Sequence, residues 1–535
     1  MHISSKVILE NEVTMKASWF VNEKICKMIH FLLNNDKIRL FIGLILIREK
    51  RGTMAYKDLQ EFITTLEKQQ ELQRVQTPVN AYLEITEITD RVSKAHGSAL
   101  LFEHVKGSDF PVLINAMGSE KRMALALGVE DLDEIGEQIG ELINLSNYSG
   151  WLNSIKQVPK LSRMAAVFPI KVTKAACQEV VNHDPDLNRL PILTCWPKDG
   201  GKYITLPLVM TRDPETGQQN TGMYRMQVYD KNTTGMHWHW HKDGREIYEK
   251  YRQLGGKMPV SVALGGDPAI TYAATAPLPK MIDEMMLAGF LRKRPVKMVK
   301  SITNDIYVPA NSEFVIEGYV DVTEPLRTEG PFGDHTGYYS LEDDYPVFHV
   351  TCITHKKKAV YPTTIVGQPP MEDDYMALAT ERVFVPLLKM MAPEIVDLAM
   401  PFEGVFHNCV IVSIKKKFPY HGHKIMNTCW GMGQMMYTKM IIVVDEDIDP
   451  HDYSTVAWKV FNNIDGKRDV VMNDGPLDAL DHSSPNPFYG TRIGIDATRK
   501  WPEEGHTRPW PDDVTMDERT KKLVSERWSE YGIDL

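Results

Sequence analysis

The stretch at 220–244, N-T-G-M-Y-R-M-Q-V-Y-D-K-N-T-T-G-M-H-W-H-W-H-K-D-G, constrains this chain more than any other. Residues 223–228 alternate around Arg225, 230–235 supply turn chemistry and 236–241 alternate again, which predicts two strands joined by a polar turn. Side chains on a strand repeat every two residues, so His237, His239 and His241 would share one face while Trp238 and Trp240 take the other. Imidazoles beside Arg225 and Asn220 would make a polar, metal-capable surface on a rigid hairpin. A solvated His-rich edge is the plainer alternative.

At 535 residues, 43% of them apolar and 25% charged, the composition is that of a soluble globular chain too long for one core. Two or three domains are therefore expected. The net charge of −10 forms no basic stripe, which argues against nucleic acid as a partner. Six cysteines without C-x-x-C spacing fit a reducing cytoplasm and the role of small buried hydrophobes.

The first 53 residues read differently from the rest. Residues 40–47 (L-F-I-G-L-I-L-I) are apolar but too short to span a bilayer, and no small-residue cleavage site follows. Met54 opens M-A-Y-K-D-L-Q-E-F-I, a helix start, just after K-R-G-T, which resembles a translated purine-rich ribosome-binding site. Residues 1–53 are thus expected to be a non-native leader, with a membrane-surface anchor as the rival reading.

Helical spacing of Leu59, Phe62, Ile63 and Leu66, a strand pattern at 71–75, a helix at 86–94 and buried strands at 99–102 and 112–115 predict an α/β domain over 54–165. Strands dominate 166–358, at 206–211, the hairpin, 260–264, 314–322 and 347–354, with one helix at 279–291. This region reads as a β-barrel or sandwich. Helices and apolar strands (409–414, 440–445) alternate over 359–510, and 511–535 form a polar tail.

Three further segments carry candidate chemistry. Glu284 sits in a largely apolar helical pattern with Met281, Met285 and Leu287, and is either a surface glutamate or a ligand. T-E-G-P-F-G-D-H-T-G-Y-Y at 328–339 lets Glu329 and Asp334 converge in a glycine-rich loop. Such a pair can place a proton donor of raised pKa beside an ionised partner, or be solvated acids on a Gly-Pro turn. V-G-Q-P-P-M-E-D-D at 366–374 reads as a connector. An asparagine oxygen, an imidazole and one carboxylate suit Mn²⁺ or Mg²⁺ better than structural zinc, with a bound phosphate completing the charge balance. No G-x-G-x-x-G after a strand, P-loop or G-x-S-x-G is present.

In order, M-A-Y-K-D-L (54–59), D-L-N-R-L-P-I-L-T-C-W-P (186–197), N-T-G-M-Y-R-M-Q (220–227), G-M-H-W-H-W-H-K-D-G (235–244), L-G-G-D-P-A (264–269), V-P-A-N-S-E-F-V-I-E-G (308–318), E-G-P-F-G-D-H-T-G-Y-Y (329–339) and I-I-V-V-D-E-D (441–447) resemble the UbiD family of prenylated-flavin-dependent decarboxylases. The likeness runs from about Met54 to the C-terminus. H-N-C-V-I-V-S-I (407–414), G-P-L-D-A-L-D-H (475–482) and I-D-A-T-R-K-W-P-E-E-G (495–505) look closest to menaquinone-pathway members.

The resemblance implies an N-terminal α/β domain, a central flavin-binding split β-barrel and a C-terminal α/β oligomerisation domain. It assigns Arg225, Glu329 and Asp334 to a catalytic triad, and Asn220, His241 and Glu284 to a metal that bridges the cofactor phosphate. Met223, Tyr224, Arg225, His237, Trp238, His239, Lys242 and Asp243 match cofactor-contacting stretches. Where ubiquinone-type members carry R-W-L-S-H-R-G this chain has H-W-H-W-H-K-D, so His237 replaces Arg and Asp243 replaces Gly. The cofactors implied are prenylated FMN and Mn²⁺ or a similar divalent cation, with K⁺ a further candidate. The implied partners are an aromatic carboxylic acid, a flavin prenyltransferase that supplies the cofactor, and copies of the chain in a dimer or hexamer. The expected setting is cytoplasmic, with peripheral membrane association through a lipophilic substrate.

Loss of CO₂ from an sp² carbon leaves an unstabilised carbanion, and side chains offer no electron sink, so a cofactor must provide one. Arg225 would orient the substrate carboxylate and pair with Glu329. Glu329 or Asp334 would return a proton to carbon, Glu329 being favoured. The reaction is redox-neutral and reversible. Three readings of the function stand: a quinone-precursor decarboxylase (polyprenyl 4-hydroxybenzoate or dihydroxynaphthoate), a decarboxylase or carboxylase of small aromatic or acrylic acids in degradation, and a non-catalytic flavin-binding homologue.

Overall fold

The computed structural model describes residues 55–146, 167–240, 242–278 and 282–534. The expected leader at 1–53, Met54 and His241 lie outside the described residues. The chain divides into two compact units, one ending at Pro386 and one starting at Leu387.

In the first unit the helix Leu59–Lys68 buries Leu59, Phe62, Ile63 and Leu66, a single stripe at i, i+3, i+4, i+7. The Asp58 side chain caps it by accepting from the Glu61 N–H. The chain then enters a four-stranded sheet ordered Leu72–Val75, Ala99–Phe102, Val112–Ile114, Tyr361–Pro362. Its last strand pairs parallel with Val112–Ile114, so the chain returns to this sheet after completing the central one.

The central sheet runs Lys202–Ile204, Met226–Val228, Thr233–Gly235, Val347–His355, Phe314–Asp321, Lys257–Leu264, Leu208–Arg212, Gln219–Met223, with Val180–Asn182 paired to Val347–His355. Both its faces are apolar. Val209, Val260, Val262, Phe314 and Ile316 enter one core. Leu208, Met210, Ala263 and Val315, at the alternate positions, enter another. The first path strand but one and the last are consecutive in sequence, joined by Tyr224 and Arg225 alone. Two residues reach no more than about 10 Å, so the sheet has to curl until its ends approach. The result is the expected split barrel, with Arg225 in the split.

Two local expectations change. Residues 236–240 adopt no strand: the Trp238 N–H bonds the Met236 carbonyl at 2.8 Å. Trp238 is buried at 1% exposure while Trp240 is 63% exposed with Arg245 stacked on it, so they share no common face. The helix expected at 279–291 is Glu284–Arg292, because Asp283 stops it by accepting from the Met285 N–H at 2.7 Å. Residues 279–281, Met281 among them, lie outside the described residues.

The second unit holds a five-stranded sheet ordered Ile395–Ala399, Cys409–Ile414, Met440–Asp445, Tyr489–Asp496, Val470–Pro476. Its three inner strands are parallel and its two edges antiparallel. The inner strand Cys409–Ile414 is a near-continuous apolar run, as a strand covered on both faces requires. Among the described residues no helix is long and apolar enough to cross a membrane.

Candidate active site

Arg225 projects from the split of the barrel onto two carboxylates. Its Nε donates to Glu329 Oε1 at 3.0 Å and its Nη2 to Glu329 Oε2 at 3.3 Å, a side-on fork. Nη1 donates to Asp334 Oδ2, and Nη2 also donates to Ser340 Oγ at 3.0 Å. The guanidinium lies 4.7 Å from the centre of the Phe332 ring, which closes one of its faces. Glu329 ends the strand Arg327–Glu329 and Asp334 follows the strand Phe332–Gly333, so the glycine-rich loop brings the two acids to one cation as its spacing suggested.

Both carboxyls are held down, where the sequence suggested that one would be raised. Burial works against the ionised Glu329, but the His237 hydrogen bond and the Arg225 charge outweigh it and hold the carboxyl at about 2. Burial also opposes ionised Asp334, and Arg225 and His335 bring it well below the usual carboxylate range. Arg225 is in turn raised, since Asp334 and Glu329 overcome its own burial. The resting centre is therefore one guanidinium and two carboxylates, all ionised.

His237 Nδ1 lies 2.8 Å from Glu329 Oε2, and His237 Nε2 contacts His239 Nε2. Burial and the Arg225 charge lower the His237 pKa, so the ring is neutral. Met223 ends its strand with its N–H on the Ala274 carbonyl at 3.1 Å. Lys242 is exposed and precedes the helix Asp243–Leu254.

A second cluster adjoins this centre. The strand Gln219–Met223 passes the N-terminus of the helix Glu284–Arg292, where Glu284 Oε2 accepts from the Thr221 N–H at 3.0 Å. Burial lifts the Glu284 carboxyl to about 7, and the nearby Asp283 and Asp243 add to the effect. Asn220 Nδ2 and Trp238 Nε1 are both buried without a partner. A buried, oxygen-rich, negatively biased cluster with an orphaned amide suits a hard divalent cation and a phosphorylated ligand. Asn220 and Glu284 are thus brought together, while His241 is outside the described residues. Among the described residues no three His, Cys, Asp or Glu side chains converge as a metal cluster.

Several supporting residues had no sequence signal. Asp199 accepts from the Trp196 and Gly333 N–H groups, each at 2.8 Å. Gln227 accepts from the Gly330 N–H at 2.8 Å and donates to the Gly200 carbonyl at 2.8 Å. Together they fix the loop that presents Glu329 and Asp334. Asp373, in the segment read as a connector, has Oδ1 buried without a partner and is raised by burial and by Asp374, and it senses His335 and Asp334. Isolated acids and amides of this kind become legible only when the fold juxtaposes them.

The chain matches the models for the 3-octaprenyl-4-hydroxybenzoate carboxy-lyase N-terminal domain over residues 63–142, the Rift-related domain over 170–369 and the C-terminal domain over 374–497. An uncharacterized protein of Archaeoglobus fulgidus is 52% identical over 479 residues, covering 89% of this chain and 99% of the relative. Vanillic acid decarboxylase of Sedimentibacter hydroxybenzoicus in its closed form superposes with a TM-score of 0.77 at 28% identity, over 90% of this chain and 99% of that one. The UbiD-class enzyme HmfF of Pelotomaculum thermopropionicum in complex with FMN gives 0.73 at 27%, over 88% and 99%. An evolved dimeric form of HmfF in complex with prFMN gives 0.70 at 25%, over 87% and 98%.

Proposed function

The chain belongs to the UbiD family of carboxy-lyases, and from that premise we propose that it decarboxylates an aromatic carboxylic acid with prenylated FMN and a divalent cation. The observation that carries this reading is the side-on fork of Arg225 on Glu329 with Asp334 on the same guanidinium. When bound, the flavin supplies the electron sink that no side chain provides. Asn220 and Glu284, with His241, would hold the cation and through it the cofactor phosphate. By family likeness Met223, Tyr224, Trp238, His239, Lys242 and Asp243 would line the cofactor side.

Arg225 carries five N–H groups, and Glu329, Asp334 and Ser340 together take four of them. The remaining N–H on Nη1 is available to a substrate carboxylate. Docking that anion beside two ionised carboxyls raises the pKa of both, because like charges disfavour one another. The more favourable that shift, the more readily Glu329 or Asp334 takes up a proton before the reaction begins. After CO₂ departs, the same proton is returned to carbon, with Glu329 as the favoured donor because it is the more buried of the two.

A quinone precursor, a polyprenyl 4-hydroxybenzoate or a dihydroxynaphthoate, is the first substrate class. Supporting it are Tyr338, inside the segment between Asp334 and Ser340, and Leu341 just after it, which are 60% and 88% exposed. Exposed apolar side chains this near the acid centre in sequence would give a hydrocarbon tail a surface to lie on. A small aromatic acid is the second class, favoured by the likeness to vanillic acid decarboxylase. The same reading takes a flavin prenyltransferase as the cofactor's source and a homo-oligomeric cytoplasmic enzyme. The test is mass spectrometry of cofactor released from protein co-expressed with a flavin prenyltransferase and supplied with Mn²⁺, followed by CO₂ release from both acid classes. Prenylated FMN and turnover are expected. Plain FMN, or prenylated FMN without turnover of any aromatic acid, would overturn the reading.

A further inference from the structure

We propose that His237 is a positioning residue of the acid centre, holding Glu329 ionised and side-on to Arg225, an inference that rests on the decarboxylase reading above. Glu329 Oε2 is shared between Arg225 Nη2 at 3.3 Å and His237 Nδ1 at 2.8 Å, so the imidazole makes the shorter of the two bonds. An ionised carboxylate only accepts, which places the proton on His237 Nδ1. Nε2 of the neutral ring is then the acceptor, and His239 Nε2 donates to it. The His237 ring packs 4.4 Å from the Tyr345 ring at an interplanar angle of 35°. Both nitrogens and one ring face are thus committed to protein partners, and His237 is only 8% exposed.

This differs from the cofactor contact implied at position 237 by family likeness, and the difference is specific to the residue this chain carries there. An arginine would bring a second permanent cation to the centre. A neutral imidazole donates one directional bond and leaves the charge of the centre unchanged. The charged and titratable groups facing His237 are Glu329, Arg225, Asp334, His239 and Tyr345. Arg225 disfavours a second proton on the ring, whereas Glu329 and Asp334 favour it. His237 therefore works through Glu329 and needs no contact with substrate.

The test reads Glu329 itself. The carboxyl stretch of Glu329 is followed by infrared difference spectroscopy across pH in flavin-free protein and assigned with Glu329→Gln. The pH profile of kcat/KM is then measured on the loaded enzyme. His237→Phe should raise the Glu329 titration by about one to two units, the scale of a lost hydrogen bond to a carboxylate. The acid limb of the rate profile should move with it, with flavin content retained. His237→Asn, which can present a side-chain N–H in place of Nδ1–H, should restore both. An unmoved Glu329 titration in His237→Phe, or its failure to return in His237→Asn, would overturn the proposal. Should His237→Phe not fold, His237→Asn against the longer His237→Gln decides, and identical titrations in those two would also overturn it. The infrared titration needs no turnover, so a failure of the decarboxylase reading is seen separately.

Discussion

The Arg225 guanidinium meets the Glu329 carboxylate edge to edge, Nε to Oε1 at 3.0 Å and Nη2 to Oε2 at 3.3 Å, while its other terminal nitrogen holds Asp334. A lysine keeps the charge but has no fork, so it cannot orient Glu329, Asp334 and a substrate carboxylate at once. Arg225→Lys is expected to lower kcat/KM by on the order of 10³ in steady-state assays, with flavin still bound. Arg225→Ala leaves two buried acids without their cation and should also cost roughly 3–5 kcal/mol in urea unfolding at neutral pH. Near-normal kcat/KM in Arg225→Lys would remove the fork from the mechanism.

The same pairing sets a pH dependence of stability. Glu329 is held at about 2 against an ordinary 4.5, so between those values the unfolded chain binds the proton that the folded protein refuses. The stability contributed by ionised Glu329 is therefore full above about pH 5 and is lost as pH falls through 4 toward 2. Asp334, depressed for the same reason, acts in the same direction. The contribution of Glu329 is on the order of 3 kcal/mol at neutral pH. Urea unfolding at stepped pH should show the difference between wild type and Glu329→Gln shrinking on the acid side. A difference independent of pH would contradict the assignment.

An anion docking onto a centre that already holds two ionised acids should bring a proton with it. Calorimetry of an unreactive aromatic carboxylate, in buffers of different ionisation enthalpy, is expected to show uptake of about one proton per site near neutral pH. In Glu329→Gln the uptake should fall. Binding without proton uptake would mean that the donor is loaded by another route.

The outline of this site was legible because its residues sit in short, locally determined segments. Leu59, Phe62, Ile63 and Leu66 declare their helix by spacing alone, and all four are buried as expected. Glu329 and Asp334 lie five positions apart in a glycine-rich loop that had few ways to fold. The histidine segment misled because M-H-W-H-W-H alternates as a strand does, yet its conformation is decided by Glu329 and Tyr345, distant in sequence, and by Arg245 on the helix that follows. Ser340, Asp199, Gln227 and Asp373 gave no signal for the same reason: each matters through groups, such as Arg225, Gly333, Gly330 and His335, that only the tertiary fold brings near. Burial of Glu284 against Thr221 belongs here too, since the helix pattern alone favoured a surface position.

Glu284 also makes a prediction about loading. Burial has lifted its carboxyl to about 7, a situation a divalent cation would relieve, while the unpartnered Asn220 Nδ2 is a donor suited to an anion such as phosphate. Asn220→Ala and Glu284→Gln should each lose Mn²⁺ and flavin together when protein is purified after co-expression with the prenyltransferase. Loss is read by metal analysis and flavin absorbance, with little change in thermal unfolding of the flavin-free protein. Full flavin occupancy in both variants would place the phosphate elsewhere.

Gly333, immediately before Asp334, is confined by Trp196. A Cβ at this position would lie 2.1 Å from Trp196 Cδ1, far inside contact distance. The indole cannot easily retreat: its Nε1 donates to the Val366 carbonyl at 2.9 Å, and Gly367 backs its far edge. The loop would have to yield instead, straining the Gly333 N–H bond to Asp199 and carrying Asp334 away from Arg225. A displacement near 1 Å at a catalytic group costs roughly 100-fold in rate. Gly333→Ala is thus expected to lower kcat about that much, with an overpacking cost of about 1–3 kcal/mol in stability. Because the clash is with one ring, Trp196→Leu in the Gly333→Ala background should recover part of the lost kcat, giving a non-additive double-mutant cycle. Strict additivity would mean that the alanine acts through the backbone and not through Trp196.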